Sequence, residues 1–303
     1  IQGNVQEVNA ILSAMIRRVD RNLNWLEPNR TTDNDNPAFV VLDILTGWSI
    51  QNRRAPRWHT DHCGWLQPEQ LDLQSFYDFA QHCNQIVEYE TVTGTATRKR
   101  YTTNMVMASD APIIETCQNI LGQCRAQLII TQAGKIGVML DEARTTPRQL
   151  FTPSNSWEFS GSRSFTEIPH AFNVQFTSPD LEWQSATVVV YRPGFDATGS
   201  GSNEVATLFE DLDTVGITNP HQAQLYGAYM MAQAIIRSEV FTFNVDTENL
   251  VCQRGDLVQV AHDAPLMGGR SCVITGIENG WINISERFGP LGDENEKYTL
   301  RAD

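Results

Sequence analysis

Long apolar runs are absent from this chain of 303 residues. No stretch approaches the roughly 18 consecutive apolar residues that a membrane-spanning helix requires. The opening Ile1-Gln2-Gly3-Asn4 holds neither a basic region nor an apolar signal core, so the chain reads as soluble and not exported by a signal of its own. Basic residues are scarce as well: 22 Lys and Arg stand against 36 Asp and Glu, a net charge of -14. The deficit is uneven, because residues 1–150 carry 14 basic and 16 acidic side chains while residues 151–303 carry 8 and 20. Such a surface repels phosphate backbones, which argues against nucleic-acid binding by the chain as a whole and suits a basic protein partner. The six cysteines, at 63, 83, 117, 124, 252 and 272, are too few and too scattered for a disulfide framework. Reduced, mostly buried thiols are expected; Cys117 and Cys124, seven apart on a predicted helix, are separated by about 10 Å of rise, too far to bridge.

Catalytic signatures are missing too. There is no Gly-x-Ser-x-Gly elbow, and no cysteine stands in a context that lowers a thiol pKa. The Gly199-Ser-Gly-Ser stretch lacks the Gly-Lys-Ser/Thr of a phosphate cradle and reads as a flexible loop over Ala197–Asn203. Asp141-Glu142 and the group Glu210, Asp211 and Asp213 have the residue types of acid–base glycan hydrolysis, but their polar surroundings favour a charged surface. His59, His62, Cys63, His82 and Cys83 are residue types that zinc prefers. Adjacent pairs such as His62-Cys63 diverge on regular backbone, and His82-Cys83 sits in an amphipathic helix, so a polar loop beside a buried helix cysteine is the favoured reading. No metal or cofactor is expected.

What remains is an ordinary globular mixture, 41% apolar and 19% charged, long enough for one large or two modest domains. Residues 1–30 leave their period open: Val5, Val8, Leu12, Met15 and Val19 fit a helical face, whereas Val8, Ala10, Leu12, Ala14 and Ile16 alternate as a strand does. Asn29–Asn36 is a polar loop. Asn36-Pro37 opens a helix that ends at Gly47, with Phe39, Val40, Ile44 and Leu45 on its buried side. Pro68-Glu69 begins a second helix burying Leu71, Phe76, Phe79 and Ala80. Asp110-Ala-Pro112 opens a third, through Cys124. Gln127–Thr131 and Lys135–Leu140 flank Gln132-Ala-Gly134 as a hairpin. From Trp157 the pattern turns to strands, in WEFSGSRSF, FNVQFTS and WQSATVVVYR, punctuated by Pro153, Pro169, Pro179 and Pro193. One long helix interrupts them from about Pro220 to Ser238, with Leu225, Tyr229, Ala232 and Ile236 predicted to share a face. Short strands follow around Gly255-Asp256, Gly268-Gly269 and the tight-turn pair Asn279-Gly280. The sequence places a domain boundary between Pro147 and Pro153.

Two charged motifs receive local readings. Arg98-Lys99-Arg100 reads as charge protecting a strand edge. Arg254-Gly-Asp256 reads as a turn into the strand LVQV, with glycine supplying the positive φ and Asp256 closing the turn. The interface candidates are Trp48, Arg53, Arg54, Arg57, Trp58 and Trp65, which mix guanidinium with aromatic faces in a loop-rich stretch; a subunit interface is favoured over nucleic acid.

Four local motifs fall in a fixed order: NPAFVVLDILTG (Asn36–Gly47), a helix-hairpin unit ending near Asp141, NPHQAQLYGAYMMAQAIIRSE (Asn219–Glu239) and RGDLVQV (Arg254–Val260). In this order and spacing the chain resembles the central tail hub of long-tailed phages, the lambda-like tip attachment protein J family, over almost its whole length. The resemblance implies an α+β fold: an extended connecting segment over residues 1–35, an attached helix-and-hairpin module over 36–150, and a β-rich hub body of mixed or antiparallel sheets over 151–303 carrying the long helix at 219–238. It implies a structural virion protein, a homotrimer closing the distal end of the tail tube, in contact with the distal tail protein and other tail tip proteins. Its place would be the tail tip, reached by assembly in the host cytoplasm, and a host receptor would be met only through domains outside this segment. The Ile1 start and the polar run Gly292–Asp303 read as the ends of a piece of a longer protein. HTDHCGW (His59–Trp65) has no match in that family. The alternative reading is a tail-associated cell-wall glycan hydrolase or a carbohydrate-binding module.

Overall fold

The computed structural model describes residues 16–26, 33–47, 66–91, 94–106, 112–163, 168–261, 274–278 and 281–284, and the fold is mixed α+β. In chain order the strands are β1 (Arg18–Val19), β2 (Trp25–Leu26), β3 (Ile86–Thr91), β4 (Gly94–Lys99), β5 (Ala126–Ile130), β6 (Ile136–Leu140), β7 (Leu150–Phe151), β8 (Ser156–Arg163) and β9 (Ala171–Ser178). They continue as β10 (Gln184–Tyr191), β11 (Phe195–Asp196), β12 (Glu204–Val205), β13 (Phe209–Asp213), β14 (Glu239–Val245), β15 (Gln259–Val260), β16 (Ile274–Glu278) and β17 (Trp281–Ile284). The helices are α1 (Pro37–Thr46), α2 (Leu73–Asn84), α3 (Ile113–Gly122) and α4 (Pro220–Ile236). The chain forms two compact units. The first holds the described residues up to Ala143 with Ser162–Val240 and Gln253–Gly255; the second holds Arg144–Gly161, Phe241–Cys252 and the described residues from Asp256 onward.

Helix α1 begins where its sequence dictates. Pro37 occupies the first turn, where its missing amide hydrogen has no partner to lose, and the Asn36 carboxamide oxygen accepts from the Ala38 amide at 3.0 Å. The same side chain donates to Ala80 O at 3.0 Å and to Asn84 Oδ1 at 3.1 Å, so one buried cap also joins α1 to α2. Gly47, at φ 64°, closes the helix in the left-handed conformation that glycine adopts without steric cost. The sequence-predicted stripe is too narrow. Val41 and Leu42 are buried together with Ala38, Phe39, Ile44 and Leu45, while Val40 is only half-buried, because α1 packs against both α2 and α3.

Pro68–Gln70 forms a single 3-10 turn rather than the start of α2. Leu71 leaves it in extended form to make a parallel bridge to Ile136 of β6, and α2 starts only at Leu73. Its buried residues are Phe76, Phe79, Ala80 and Cys83. Helix α3 ends at Gly122, so Cys124 lies in the turn that follows and not on the helix. Strands β5 and β6 pair as the expected antiparallel hairpin, Ala126 opposite Leu140 and Ile130 opposite Ile136. Together α1, α2, α3 and this hairpin enclose the first core.

A second core in the same unit sits between α4 and the sheet ordered β10-β9-β13. Strand β10 runs antiparallel to β9, and β13 runs parallel to it. The inner face presents Phe172, Val174 and Phe176 from β9, flanked by Ala186, Val188, Val190 and Leu212. Helix α4 meets this face with Gln222, Ala223, Gly227, Met231 and Ala234. That set corrects the predicted face. Ala232 and Ile236 are exposed and Leu225 and Tyr229 are half-buried, while Ala223 and Met231, with Tyr226 and Met230 beside them, pack into this core. Gly227 marks the nearest point: a Cβ there would lie 2.7 Å from Val174 Cγ2 and 2.8 Å from Val190 Cγ2.

In the second unit β8 pairs with β14 and β7 pairs in parallel with β15. Phe159 stacks on Phe241 and Phe243 at centroid distances of 5.4 and 6.0 Å, and Phe151 meets Phe243 at 5.2 Å. The Phe241 ring covers the bare backbone of Gly161, where a Cβ would come within 3.0 Å of Cε1. Strand order in LVQV shrinks to Gln259–Val260, and β16 and β17 pair antiparallel with Glu278 opposite Trp281, as the intervening Asn279-Gly280 pair predicts.

Candidate functional site

Four polar ties link the two cores of the first unit, and each uses a residue whose bonding capacity matches a backbone or charged partner. Gln222, 1% exposed, accepts from Thr102 N at 3.2 Å and donates to Thr102 O at 2.9 Å, reproducing with one amide the two-point contact of a strand pair. Gln123 makes the corresponding contact with Val215, donating to its O at 2.9 Å and accepting from its N at 2.7 Å. Arg98 Nε donates to His221 Nδ1 at 3.1 Å, while His221 stacks on Tyr89 at 4.6 Å. Burial first and the Arg98 charge second hold the His221 pKa below its ordinary value.

The fourth tie joins the end of β6 to α4. Arg237 grips Asp141 with both guanidinium nitrogens, NH1 to Oδ2 at 2.7 Å and NH2 to Oδ1 at 2.8 Å, and Tyr229 Oη donates to Oδ2 at 2.6 Å. The Arg237 hydrogen bond depresses the Asp141 pKa, burial opposes it, and the Tyr229 bond adds to the depression. Burial and the carboxylate push the Tyr229 phenol up to about 12. Arg125 completes the group, its guanidinium 4.9 Å from the centre of the Tyr229 ring.

These contacts revise several sequence readings. Asp141 is a gripped, half-buried carboxylate rather than solvated charge. Glu210, Asp211 and Asp213 lie exposed on β13, as a charged surface does. Arg98-Lys99-Arg100 does not guard an edge: Arg98 reaches His221, and Lys99 Nζ pairs with Asp35 at 2.9 Å and Asp33 at 3.1 Å. Burial penalises the Lys99 ammonium, yet the bonds to Asp35 and Asp33 outweigh it and its pKa rises. Gly255 has the predicted positive φ, 91°, while Asp256, in the second unit, turns its carboxylate inward to Arg144 Nη1 at 2.8 Å. The Asp196 carboxylate at the start of the Gly/Ser loop accepts from the amides of Thr198, Gly199 and Ser200, and its pKa is pulled far down by Ser200 first.

Cys83, Cys117 and Cys124 are buried in the first core, and burial raises the thiols of Cys83 and Cys124 well above their ordinary range. His82 stacks on Tyr101 at 6.0 Å, its pKa lowered by burial and then by Arg100. Among the described residues no three His, Cys, Asp or Glu side chains are placed to hold a metal, and no helix is long and apolar enough to cross a membrane. Trp48, Arg53, Arg54, Arg57, Trp58 and Trp65, with His59, His62 and Cys63, lie outside the described residues.

The surface that sequence reasoning missed is the far side of the β10-β9-β13 sheet. There the register aligns Tyr191, Ala171 and Phe209 in one row, Val189, Asn173 and Asp211 in the next, and Thr187, Gln175 and Asp213 in a third. Val189 and Phe209 are 39% and 42% exposed. Among the described residues no strand pairs with the outer edge of β10 or of β13. Beyond the end of β9, Leu181 and Trp183 project into solvent, and both Glu182 (φ 54°) and Trp183 (φ 64°) hold a left-handed conformation that costs a bulky residue energy. The alternation in WQSATVVVYR was the available signal; it identified a strand but could not identify an edge.

The chain is similar to the crystal structure of the tail protein from Neisseria meningitidis MC58, at 12% identity and a TM-score of 0.39, over 54% of this chain and 49% of that one. It is similar also to the 43 kDa tail protein of prophage MuSo2 from Shewanella oneidensis, at 15% identity and a TM-score of 0.31, over 55% of this chain and 48% of that one. The chain thus spans about half the length of each. No curated protein matches it. Residues 118–276, more than half of the chain, match the family described as "Putative phage tail protein", and the chain belongs to that phage tail family.

Proposed function

We propose that this phage tail protein is the central hub of a tail tip, a structural subunit that assembles as a homotrimer to close the distal end of the tail tube. The observation that carries the reading is the β10-β9-β13 sheet, covered by α4 on one face, with Val189 and Phe209 exposed on the other and, among the described residues, no strand paired to either outer edge. A subunit whose sheet is completed by its neighbours has this form, and closed rings need such heterologous surfaces. The order of the four sequence motifs supports the placement at the tip. In this reading residues 151–303 serve as hub body and 36–150 as the attached module. The Trp48, Arg53, Arg54, Arg57, Trp58 and Trp65 stretch contacts another subunit or the distal tail protein. Host recognition falls to domains beyond this segment. A non-catalytic role is supported by the gripped state of Asp141 and by the exposed carboxylates of β13.

Immunogold electron microscopy of phage particles, with antibody raised to this chain, tests the proposal. Gold at the distal tail end is the expected result; label along the shaft, at the head or absent from particles would overturn it.

A further inference from the structure

The two outer edges of the β10-β9-β13 sheet, unpaired among the described residues, differ in character. Gln184–Tyr191 holds eight residues without a charge, rich in β-branched side chains. Exposed edges of that kind pair readily with another strand, and monomeric proteins blunt them with charge, proline or bulges. Phe209–Asp213 on the opposite side carries Glu210, Asp211 and Asp213. Two β13 edges cannot pair with each other without setting carboxylates face to face.

Backbone parity decides which groups point outward. Arg192 N donates to His170 O, so by alternation the even-numbered residues of β10 bond to β9, and Ser185, Thr187, Val189 and Tyr191 turn their amides and carbonyls away from the sheet. Ala171 N donates to Leu208 O, so Phe209, Asp211 and Asp213 of β13 do the same on the other side. An antiparallel pairing of one edge with the other, at zero stagger, sets outward residue against outward residue throughout: Phe209 against Tyr191, Asp211 against Val189, Asp213 against Thr187. It also keeps all of these side chains on the same open face. The row Tyr191, Ala171, Phe209 begins and ends in an aromatic ring, so successive copies would place ring beside ring at each junction. Asp213 would meet a hydroxyl and Asp211 a neutral valine, with no like charge opposed.

We propose that the β13 edge of one copy pairs with the β10 edge of the next, so that this sheet runs continuously from subunit to subunit. The occupant of the β10 edge is a second copy of this chain, because the matching in parity, face and chemistry is between two edges of one and the same sheet. The pairing is heterologous, so it builds a ring when the rotation from copy to copy closes. The proposal rests on the oligomeric hub reading and specifies its seam.

The test is cross-linking of the full chain. The double variant Tyr191→Cys with Phe209→Cys, under mild oxidation, gives covalent dimers and a closed multimer; a mixture of the two single variants stops at dimers, and the parent chain with its native cysteines gives none. Val189→Pro removes an amide that points outward and leaves the β9 ladder intact, so self-association weakens by about tenfold or more with little change in the unfolding temperature. Oligomers that form without the Tyr191–Phe209 link, and that tolerate Val189→Pro, would overturn the seam while immunogold label at the tail end still upheld the hub. A chain that stays monomeric at all concentrations would overturn the seam as well.

Discussion

Around α1, apolar side chains from two other helices and a hairpin converge on every side, whereas around β9 they converge on one. The first core buries Val41, Leu42, Phe76, Cys117 and Leu121 to within 1% of full enclosure. The second buries Val174 as deeply and Phe172 nearly so on its inner face, yet leaves Val189 and Phe209 exposed and, among the described residues, the outer β10 edge without a paired strand. The contrast is one of completeness rather than of composition. A core enclosed by its own elements needs no partner, while a sheet covered on one face keeps, among the described residues, a capacity for edge pairing that its own strands do not use.

The largest expected effect falls on the closed core. Phe76→Ala removes a fully buried ring from a site ringed by three helices that cannot collapse easily, and it should destabilise the chain by about 3–5 kcal/mol. Calorimetric unfolding checks this; a loss under about 1 kcal/mol would mean that the site relaxes and the core is looser than its burial implies.

Gly227→Ala probes the second core at its tightest point. Alanine suits a helix better than glycine by about 1 kcal/mol, but here its methyl would strike Val174 and Val190 at 2.7–2.8 Å. Crowding should outweigh propensity, for a net loss of about 1–3 kcal/mol. A stabilised variant would show that α4 can ride higher on the sheet. Gln222→Ala acts on the joint between the cores, leaving the half-buried Thr102 N–H and C=O without this partner, and should cost about 1–2 kcal/mol. Thermal unfolding of this variant in two steps instead of one would identify the glutamine as the source of their cooperativity.

Asp141→Asn weakens the joint from the other end. With Arg237 largely in solvent, the loss should be modest, about 1–2 kcal/mol near neutral pH. The sign of its pH dependence follows from the depressed pKa. The unfolded chain takes up the proton at the ordinary value of 3.8 and the folded chain only below it, so the contribution is complete above that value and disappears as pH falls through the lower folded pKa. Denaturant titrations of parent and variant should therefore differ at pH 7 and converge in strong acid. A difference that stays constant would assign the effect to packing rather than charge.

Local chemistry was legible in the sequence and long-range pairing was not. Asn36-Pro37 and Asn219-Pro220 each announced a helix start because cap and first-turn proline act within three residues. Gln132-Ala-Gly134 and Asn279-Gly280 announced their hairpins for the same reason. The buried face of α4 was misread because apolar size was taken as the guide, while the sheet selected Ala223, Gly227 and Ala234 by their smallness. Arg98, Asp141 and Asp256 were misread because each finds a partner far along the chain: His221, Arg237 and Arg144. The outer sheet rows could not be foreseen, since Tyr191, Ala171 and Phe209 become neighbours only through a register that mixes antiparallel and parallel pairing.

The smallest effect on stability belongs to the open face, and it separates the two cores most sharply. Thr187 is exposed on β10 and turns its backbone amide and carbonyl away from β9, so Thr187→Asp should alter unfolding free energy by no more than about 0.5 kcal/mol. Within one chain Asp213 lies in the same row beyond Gln175, two strands away, where water and salt screen the added charge. Across a β13-to-β10 junction the same substitution sets carboxylate directly against carboxylate. Self-association measured by light scattering should then fall, whereas Thr187→Lys, facing Asp213 of the next copy, should hold or raise it. Only a partner strand that brings its own acidic residue to position 187 reverses the outcome with the sign of the charge; equal responses to Asp and Lys would mean that something other than β13 completes this edge.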